Sequence, residues 1–292
     1  MFLRIVSILF PLFAIVGLGW LVARRAKPDL TVANKLNMDV FVPALVFAAL
    51  VSKAFHLGDF LPLAGISVLM VIAFGIVGWI GAHLSGVAVK TLVPPTMFNN
   101  CGNLGLPLAV LAFGEQALAP AVVMFMVSNF LHFSYGAWLL DHKTRLATIW
   151  KVPSVLATLA GIAVGSAGIT VWPPLMLAIK MVGDISIPLM LFSLGVRLTD
   201  ANFHAWRIGV GGALLRPVGG LLVAALVVSV FELPPLQRAL VIVFGALPPA
   251  VLNFMFAERY RQEPEKVASI VMIGNLFALL FLPIALALTL QH

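Results

Sequence analysis

The sequence predicts an all-α integral membrane protein, with ten transmembrane helices arranged as two inverted repeats of five. Three observations lead to this prediction: the composition, the number of long apolar runs and an internal repeat. Of the 292 residues, 62% are hydrophobic and only 10% are charged, whereas a soluble domain has about 25% charged and about 45–50% apolar residues. A soluble fold of this size could not bury so much apolar surface, but a lipid bilayer solvates it.

Ten apolar runs approach or exceed the length of about 20 residues that a helix needs to cross a bilayer. The first run is too long for a signal peptide, and Arg24 and Arg25 follow it without a small-residue cleavage site, so it is predicted to be a membrane helix. We number the runs as spans 1 to 10, at residues 5–23, 33–52, 61–84, 92–113, 117–140, 153–169, 173–196, 206–231, 236–257 and 265–290.

The positive charges predict an orientation. With the N-terminus outside, thirteen of the 18 Lys and Arg residues fall in inside loops and four at outside ends. Cytoplasmic loops carry this excess of basic residues, so both termini are predicted to be extracytoplasmic in a multi-pass plasma-membrane protein. The net charge of +7 is spread between apolar runs rather than gathered into a patch, and we expect no nucleic-acid partner.

An internal repeat divides the chain. Residues 35–47 recur as 180–192, with Lys, Asp, Pro and Phe matching at an offset of 145. The Pro-Pro-x-x-x-Asn pattern at residues 94–99 recurs at 248–253, at an offset of 154. The matches pair spans 2 and 7, and spans 4 and 9. Residues 1–140 and 153–292 are therefore predicted to be five-helix repeats of opposite orientation, joined by a cytoplasmic linker at 141–152; inverted repeats are typical of secondary transporters.

Spans 4 and 9 are predicted to be broken helices that share a substrate site near the middle of the membrane. Span 4 contains Pro95, Gly102, Gly105 and Pro107, which weaken a helix, and a broken backbone is tolerated in a membrane only where it lines a cavity. The N-terminal ends of half-helices attract anions. The alternative is a pair of kinked packing helices. The predicted site residues are Pro94, Pro95, Asn99, Asn100, Asn103, Pro248, Pro249 and Asn253.

Three further residues belong to the predicted site. Arg216 lies within span 8, where a charge is costly and usually has a partner or a function. It could hold a substrate carboxylate, or it could pin the broken helices in place of a coupling cation; the alternative is snorkelling to the membrane surface. Pro43 and Pro188 are expected to kink spans 2 and 7 and to shape the other wall of the cavity.

Two matched pairs of charges lie in spans 2 and 7. Lys35 with Asp39, and Lys180 with Asp184, are spaced to form ion pairs on one helix face, and a structural role is the favoured interpretation. Asp39 and Asp184 are also the best acidic candidates for coupling transport to H⁺ or Na⁺.

The sequence does not predict an enzyme. Its one cysteine, Cys101, and the histidine His132 in span 5 are each expected to be packed residues. The motifs of metalloproteases, serine hydrolases and nucleotide-binding proteins are missing from the sequence. We therefore expect no metal, no cofactor and no catalytic residues.

The motifs in spans 4, 7 and 9 resemble those of the auxin efflux carrier family, which includes the plant PIN-type exporters and bacterial permeases for small organic acids. The resemblance covers the whole chain. The segments that carry it are Asn-Cys-Gly-Asn-Leu-Gly-Leu-Pro at 100–107, Ile-Pro-Leu-Met-Leu-Phe-Ser-Leu-Gly at 187–195 and Ala-Leu-Pro-Pro-Ala-Val-Leu-Asn-Phe-Met-Phe-Ala-Glu-Arg-Tyr at 246–260.

The resemblance implies a fold like that of the NhaA antiporter and the bile-acid symporters, with spans 4 and 9 crossing at their prolines. It implies that the substrate carboxylate binds at that crossing, where Asn100 matches the family's binding asparagine and Pro248 and Pro249 match the crossover. It implies a scaffold of spans 1, 2, 6 and 7, often forming a homodimer, and a moving domain of spans 3–5 and 8–10. The short linker at 141–152 favours a bacterial, inner-membrane member.

The function expected from these features is secondary active or facilitative transport of small organic anions by an elevator-type motion. Carboxylates and indole acids such as the auxin indole-3-acetic acid are both within this class. Two alternatives stay open at this point: a sodium-coupled symporter of the bile-acid type, and a membrane sensor that binds its ligand without transporting it.

Overall fold

A computed structural model describes residues 1–26, 28–51, 57–142, 150–200 and 205–290. Helices account for nearly all of these residues, and no strand occurs among them. The helices are α1 Phe2–Ala26, α2 Thr31–Val51, α3 Leu57–Ser85, α4 Val89–Met97, α5 Cys101–Phe113, α6 Glu115–Leu140, α7 Pro153–Ser166, α8 Pro173–Arg197, α9 Trp206–Val230, α10 Pro235–Ala246, α11 Leu252–Arg259 and α12 Pro264–Thr289.

The prediction of an all-α membrane protein is confirmed. Within the described ranges, seven helices are long and apolar enough to cross a bilayer, namely α1, α2, α3, α6, α8, α9 and α12. Helices α5, α7 and α10 are apolar but shorter. Large apolar side chains also lie on the outer surface, among them Trp79, Trp172, Leu222 and Leu226. A bilayer is the solvent in which such a surface is stable.

Spans 4 and 9 are each divided between two short helices. Span 4 falls on α4 and α5, and span 9 falls on α10 and α11, with non-helical backbone between the members of each pair. The break in span 9 contains Pro248 and Pro249, as predicted. In span 4 the expected position is wrong, because α4 continues through Pro94 and Pro95 to Met97 and the break follows it. The fixed φ of proline suits a helix, so a proline can remain in one when its missing hydrogen bond is tolerated.

Wide helical turns precede two other prolines. In α2, residues Asn37–Phe41 form a π-helical turn just before Pro43, and the N–H of Val42 donates to the Asn37 carbonyl five residues back. Helix α5 begins with the same kind of turn at Cys101–Gly105, two residues before Pro107. Proline lacks the N–H that would close a normal turn, and a wide turn changes which residues share a helix face.

The predicted distortion of span 7 is also present. Helix α8 is interrupted by a turn at Ile185, three residues before Pro188. The carbonyl of Asp184 is the one that an N–H at position 188 would have bonded, and proline cannot supply it.

One end of α4 is anchored to its neighbours by polar contacts. Glu263, in the turn before α12, accepts hydrogen bonds from Lys266 and from the Thr91 hydroxyl. The Lys266 ammonium, followed by Thr91, holds the pKa of the Glu263 carboxyl below its usual range. The Lys90 ammonium donates to the Leu140 carbonyl at the end of α6 at 2.9 Å. Helices α4, α6 and α12 are thereby held together at one end.

Helices α1 and α8 pack with their backbones in contact. A Cβ atom added at Gly195 would lie 1.9 Å from the Val16 carbonyl oxygen, and one added at Gly19 would lie 2.2 Å from the Phe192 carbonyl oxygen. Small residues permit such close approach of helices in membranes, where packing rather than the hydrophobic effect drives association.

We expect Gly195→Ala to destabilise the protein by about 1–3 kcal/mol, because the added methyl overlaps backbone that cannot rotate away. Thermal unfolding in detergent measures the effect. Gly65→Ala is the matched control, since no described residue beyond the neighbouring turns of its own helix lies within 4 Å of a Cβ atom added there. An unchanged unfolding temperature for Gly195→Ala would contradict the close packing.

Candidate functional site

The breaks in spans 4 and 9 lie side by side and pair with each other as a short antiparallel bridge. The N–H of Asn100 donates to the Pro248 carbonyl at 2.8 Å, and the N–H of Ala250 donates to the Phe98 carbonyl at 3.0 Å. Backbone groups that leave a helix inside a membrane must find partners within the protein. Each break therefore supplies the partners that the other needs.

Four helix ends meet at this bridge. Helices α4 and α10 end here, and α5 and α11 begin here. Helix N-termini carry partial positive charge with free N–H groups, and helix C-termini carry partial negative charge with free carbonyls. The bridge is thus surrounded by two sites suited to anions and two suited to cations or hydrogen-bond donors.

Two asparagines act as reciprocal braces between the broken helices. The Asn99 side-chain amide donates to the Phe244 carbonyl in α10 at 2.8 Å. The Asn253 side-chain amide, on α11, donates to the Phe98 carbonyl at 2.9 Å and to the Ala250 carbonyl at 3.0 Å. These amide donors are used within the protein, so Asn99 and Asn253 stabilise the breaks.

Asn100 links the bridge to α12. Its side-chain amide donates to the Asn275 side-chain oxygen at 2.9 Å. Asn275 donates in turn to the carbonyl of Pro249 at 3.1 Å and to that of Val271 at 2.8 Å. The sequence did not predict this bracing role of Asn275.

A cavity of about 460 Å³ lies beside the bridge. Residues of α2, α5, α6, α8 and α11 line it together with the two broken segments. Cys101, Gly102 and Asn103, which form the first turn of α5, are part of this lining, so the positive end of a half-helix borders the cavity. The polar and charged residues of the lining are Thr31, Asn34, Lys35, Asn37, Asn99, Asn100, Asn103, Ser128, Asn129, His132, Ser193 and Arg197.

Three predicted site residues line this cavity: Asn99, Asn100 and Asn103. The side chain of Asn103 is half-buried and has no hydrogen-bond partner among the residues that the structure describes, so it is the one best placed to bind a ligand directly. The other predicted residues lie outside the lining, and they are Pro43, Pro94, Pro95, Asp39, Asp184, Pro188, Arg216, Pro248, Pro249 and Asn253.

The matched Lys–Asp pairs differ in the structure. Lys180 and Asp184 form the predicted ion pair at 3.0 Å on the surface. No ion pair joins Lys35 and Asp39, which corrects the prediction for span 2. The π-helical turn Asn37–Phe41 lies between them and changes the register on which i,i+4 contact depends. Lys35 lines the cavity instead.

A second cation reaches the cavity from α8. Arg197 is part of the lining and contacts the Met255 sulfur at 3.4 Å. Among the described residues that line the cavity, none is acidic. Two cations, neutral amides and a half-helix N-terminus therefore set an electrostatic environment that favours an anion.

A polar stripe on α6 forms one wall. Ser128, Asn129 and His132 lie at helical spacing and all line the cavity. The His132 ring stacks on Phe98 with centroids 4.1 Å apart and meets Phe256 edge-on at 5.0 Å. The expectation of a packed histidine is confirmed, but its place in the cavity wall was missed. Its i, i+4 spacing from Ser128 was the available signal.

Arg216 contacts the broken helix α10 and does not line the cavity. Its side chain is fully buried, so it does not snorkel to the surface. Its guanidinium donates to the Gly245 carbonyl at 3.1 Å and to the Phe244 carbonyl at 3.4 Å, and lies 4.0 Å from the Phe74 ring centroid. This geometry matches the pinning role considered from the sequence.

We expect Asn253→Ala to lower the free energy of unfolding by about 1–3 kcal/mol, because two buried carbonyls lose a donor. Thermal unfolding without ligand tests this. Asn103→Ala is the control, since its side chain braces nothing in the described structure, and it should unfold like the parent. Equal stability of the parent and Asn253→Ala would show that the brace is dispensable.

Comparison with known proteins gives one family. The family model described as "Membrane transport protein" matches residues 4–150 and 142–286. A protein of Rhizobium meliloti named "Putative malonate transporter" is 25% identical, over 94% of this chain and 92% of that protein. An uncharacterized transporter of Methanocaldococcus jannaschii is 22% identical, over 85% of this chain and 86% of that protein. The chain belongs to the membrane transport protein family, the auxin efflux carrier-like family that its motifs resemble.

Proposed function

We propose that this protein is a secondary transporter of small organic anions, and that their carboxylates bind in the cavity beside the paired breaks. The observation that carries the proposal is the charge of that cavity, which combines Lys35, Arg197 and the N-terminus of α5 with no acidic residue in the described lining. One carboxylate fits the free N–H groups at the start of α5 and the amide of Asn103.

Within this class we favour a small dicarboxylate. Lys35 and Arg197 both line the cavity, and the attraction of a ligand to these two positive charges grows with its own negative charge, so a dianion is attracted more strongly than a monoanion. The relative named for malonate, a three-carbon dicarboxylate, supports this choice. A volume of about 460 Å³ would also admit an indole acid, so size alone does not separate the two.

An elevator motion suits the position of the cavity. Its lining comes from α2 and α8 on one side, and from α5, α6, α11 and the paired breaks on the other. In the proposed ten-span arrangement with inverted repeats, the first group belongs to the scaffold and the second to the moving domain. The second carboxylate of a dicarboxylate then contacts Lys35 and Arg197 in only one of the two transport states. Sliding of the moving domain carries the anion away from these two residues.

Further parts of the expected function remain proposals. They are a homodimer through spans 1, 2, 6 and 7 and an inner-membrane location. Coupling to H⁺ or Na⁺ through Asp39 or Asp184, the other expectation from the sequence, has less support. Asp39 is exposed and Asp184 is engaged by Lys180. An anion carrier without ion coupling needs neither carboxylate.

The pair Lys35 and Lys180 provides a matched test of the binding site. We expect Lys35→Ala to weaken malonate binding by about 10- to 150-fold, the loss of one hydrogen bond to a charged group. Lys180→Ala removes the same residue type at the matched repeat position and should bind malonate like the parent. Ligand-induced thermal shifts measure the affinities, and uptake of labelled malonate into proteoliposomes measures transport.

The same variants test the preference for a dianion. Lys35→Ala should reduce malonate affinity more than acetate affinity, because acetate has no second carboxylate for the lysine to hold. Equal losses for both acids would favour a monoanion. If Lys35→Ala binds and takes up malonate like the parent, the binding site lies elsewhere.

Orientation can be tested by labelling, because the chain's one cysteine, Cys101, is buried. A cysteine at His142 should react with a membrane-impermeant maleimide only after the cells are opened, and one at Gln116 should react in intact cells. The reverse pattern would invert the proposed topology.

A further inference from the structure

Arg216 is a buried cation without an anionic partner. Its side chain is fully buried, and the structure records no ion pair for it among the described residues. Its Nε atom has no hydrogen-bond partner there either. Burying an unpaired charge is costly, so its surroundings must supply negative potential in another form.

That potential comes from the end of α10. The carbonyls of Phe244 and Gly245, which accept the two guanidinium hydrogen bonds, belong to the last turn of this half-helix. A helix C-terminus carries about half a negative charge. The face of the Phe74 ring, 4.0 Å from the guanidinium carbon, adds a second partially negative surface.

Hydrogen bonding alone does not account for an arginine here. The Phe244 carbonyl already accepts a hydrogen bond at 2.8 Å from the neutral amide of Asn99. At the end of α4, the donors to the Phe98 carbonyl among the described residues are neutral, namely the Asn253 side chain and the Ala250 N–H. The two half-helix ends thus differ by one full positive charge, and Arg216 supplies it.

The surrounding backbone leaves space for the guanidinium. A Cβ atom at Gly220 would lie 2.1 Å from an Arg216 terminal nitrogen and 2.1 Å from the Gly245 carbonyl oxygen. Helix α9 therefore lies directly against the last turn of α10, and a side chain at position 220 would displace the guanidinium. The guanidinium thus occupies the space that the missing side chain at Gly220 leaves beside α10.

We infer that Arg216 is a built-in counter-ion: it occupies the place at the C-terminus of α10 that a bound inorganic cation would otherwise fill, so transport of the anion needs no coupling Na⁺. Arg216 is a positioning residue, since it acts through α10 and the paired breaks rather than by touching the substrate. The uptake experiments that test this inference rest on the proposed anion transport. The experiment that measures thermal unfolding with guanidinium does not.

The first experiment separates charge from hydrogen bonding. Arg216→Lys keeps the charge and Arg216→Gln keeps a donor without it. Uptake of malonate into proteoliposomes should fall by more than about tenfold in Arg216→Gln and by clearly less in Arg216→Lys. Arg207→Gln removes an exposed arginine from the first turn of the same helix and should leave uptake unchanged. Parent-like uptake by Arg216→Gln would overturn the inference.

The second experiment uses the unmodified protein, so it holds even if Arg216→Gln does not fold. Replacing Na⁺ by choline on both sides of the membrane should leave malonate uptake unchanged. Loss of uptake without Na⁺ would overturn the inference and favour a sodium symporter. Absence of malonate uptake under every condition would instead count against the proposed substrate.

The third experiment is independent of transport. Arg216→Ala vacates the site, and guanidinium chloride at low millimolar concentration should raise its thermal unfolding temperature by refilling it. Arg207→Ala and the parent should show no rise. If guanidinium fails to stabilise Arg216→Ala while the variant still unfolds cooperatively, the site does not select a cation and the inference is wrong.

Discussion

Every backbone polar group inside a membrane needs a partner within the protein, and the two broken helices of this chain meet that constraint together. Ending α4 and α10 early frees carbonyls and N–H groups that lipid cannot solvate. The antiparallel bridge satisfies part of this need, and the Asn99 and Asn253 side chains satisfy more of it, each on the opposite helix. Neither break would be stable without the other, so the site exists only because the two halves of the chain come together.

The same constraint determines the chemistry of the cavity. The carbonyl ends of the half-helices are covered by asparagine amides and, at α10, by Arg216. What remains toward the cavity is the first turn of α5, whose N–H groups have no acceptor within the helix. Covering the negative helix ends and leaving a positive end open gives the cavity a positive potential, to which Lys35 and Arg197 add full charges.

The sequence predicted the helical membrane fold and the broken pair, because composition and paired prolines report directly on both. It did not predict where span 4 breaks, since Pro94 and Pro95 fit inside α4 and the break lies where Phe98 and Asn100 pair with Ala250 and Pro248. It also did not predict that the side-chain amides of Asn99, Asn100 and Asn253 bond other parts of the protein. Their residue type indicates a polar site, but whether an amide bonds a ligand or a carbonyl 145 or 155 residues away depends on tertiary structure.

Lys35 shows how a local distortion of a helix can change the surroundings of a side chain. Its repeat mate Lys180 keeps regular helical register and pairs with Asp184. The π-helical turn after Leu36 removes that register in the first repeat, and the lysine reaches the cavity instead. Arg216 adds a similar asymmetry, one charge at one of two equivalent helix ends. The shared pattern of the two repeats builds the paired breaks, while the differences between the repeats supply the charges that a substrate would meet.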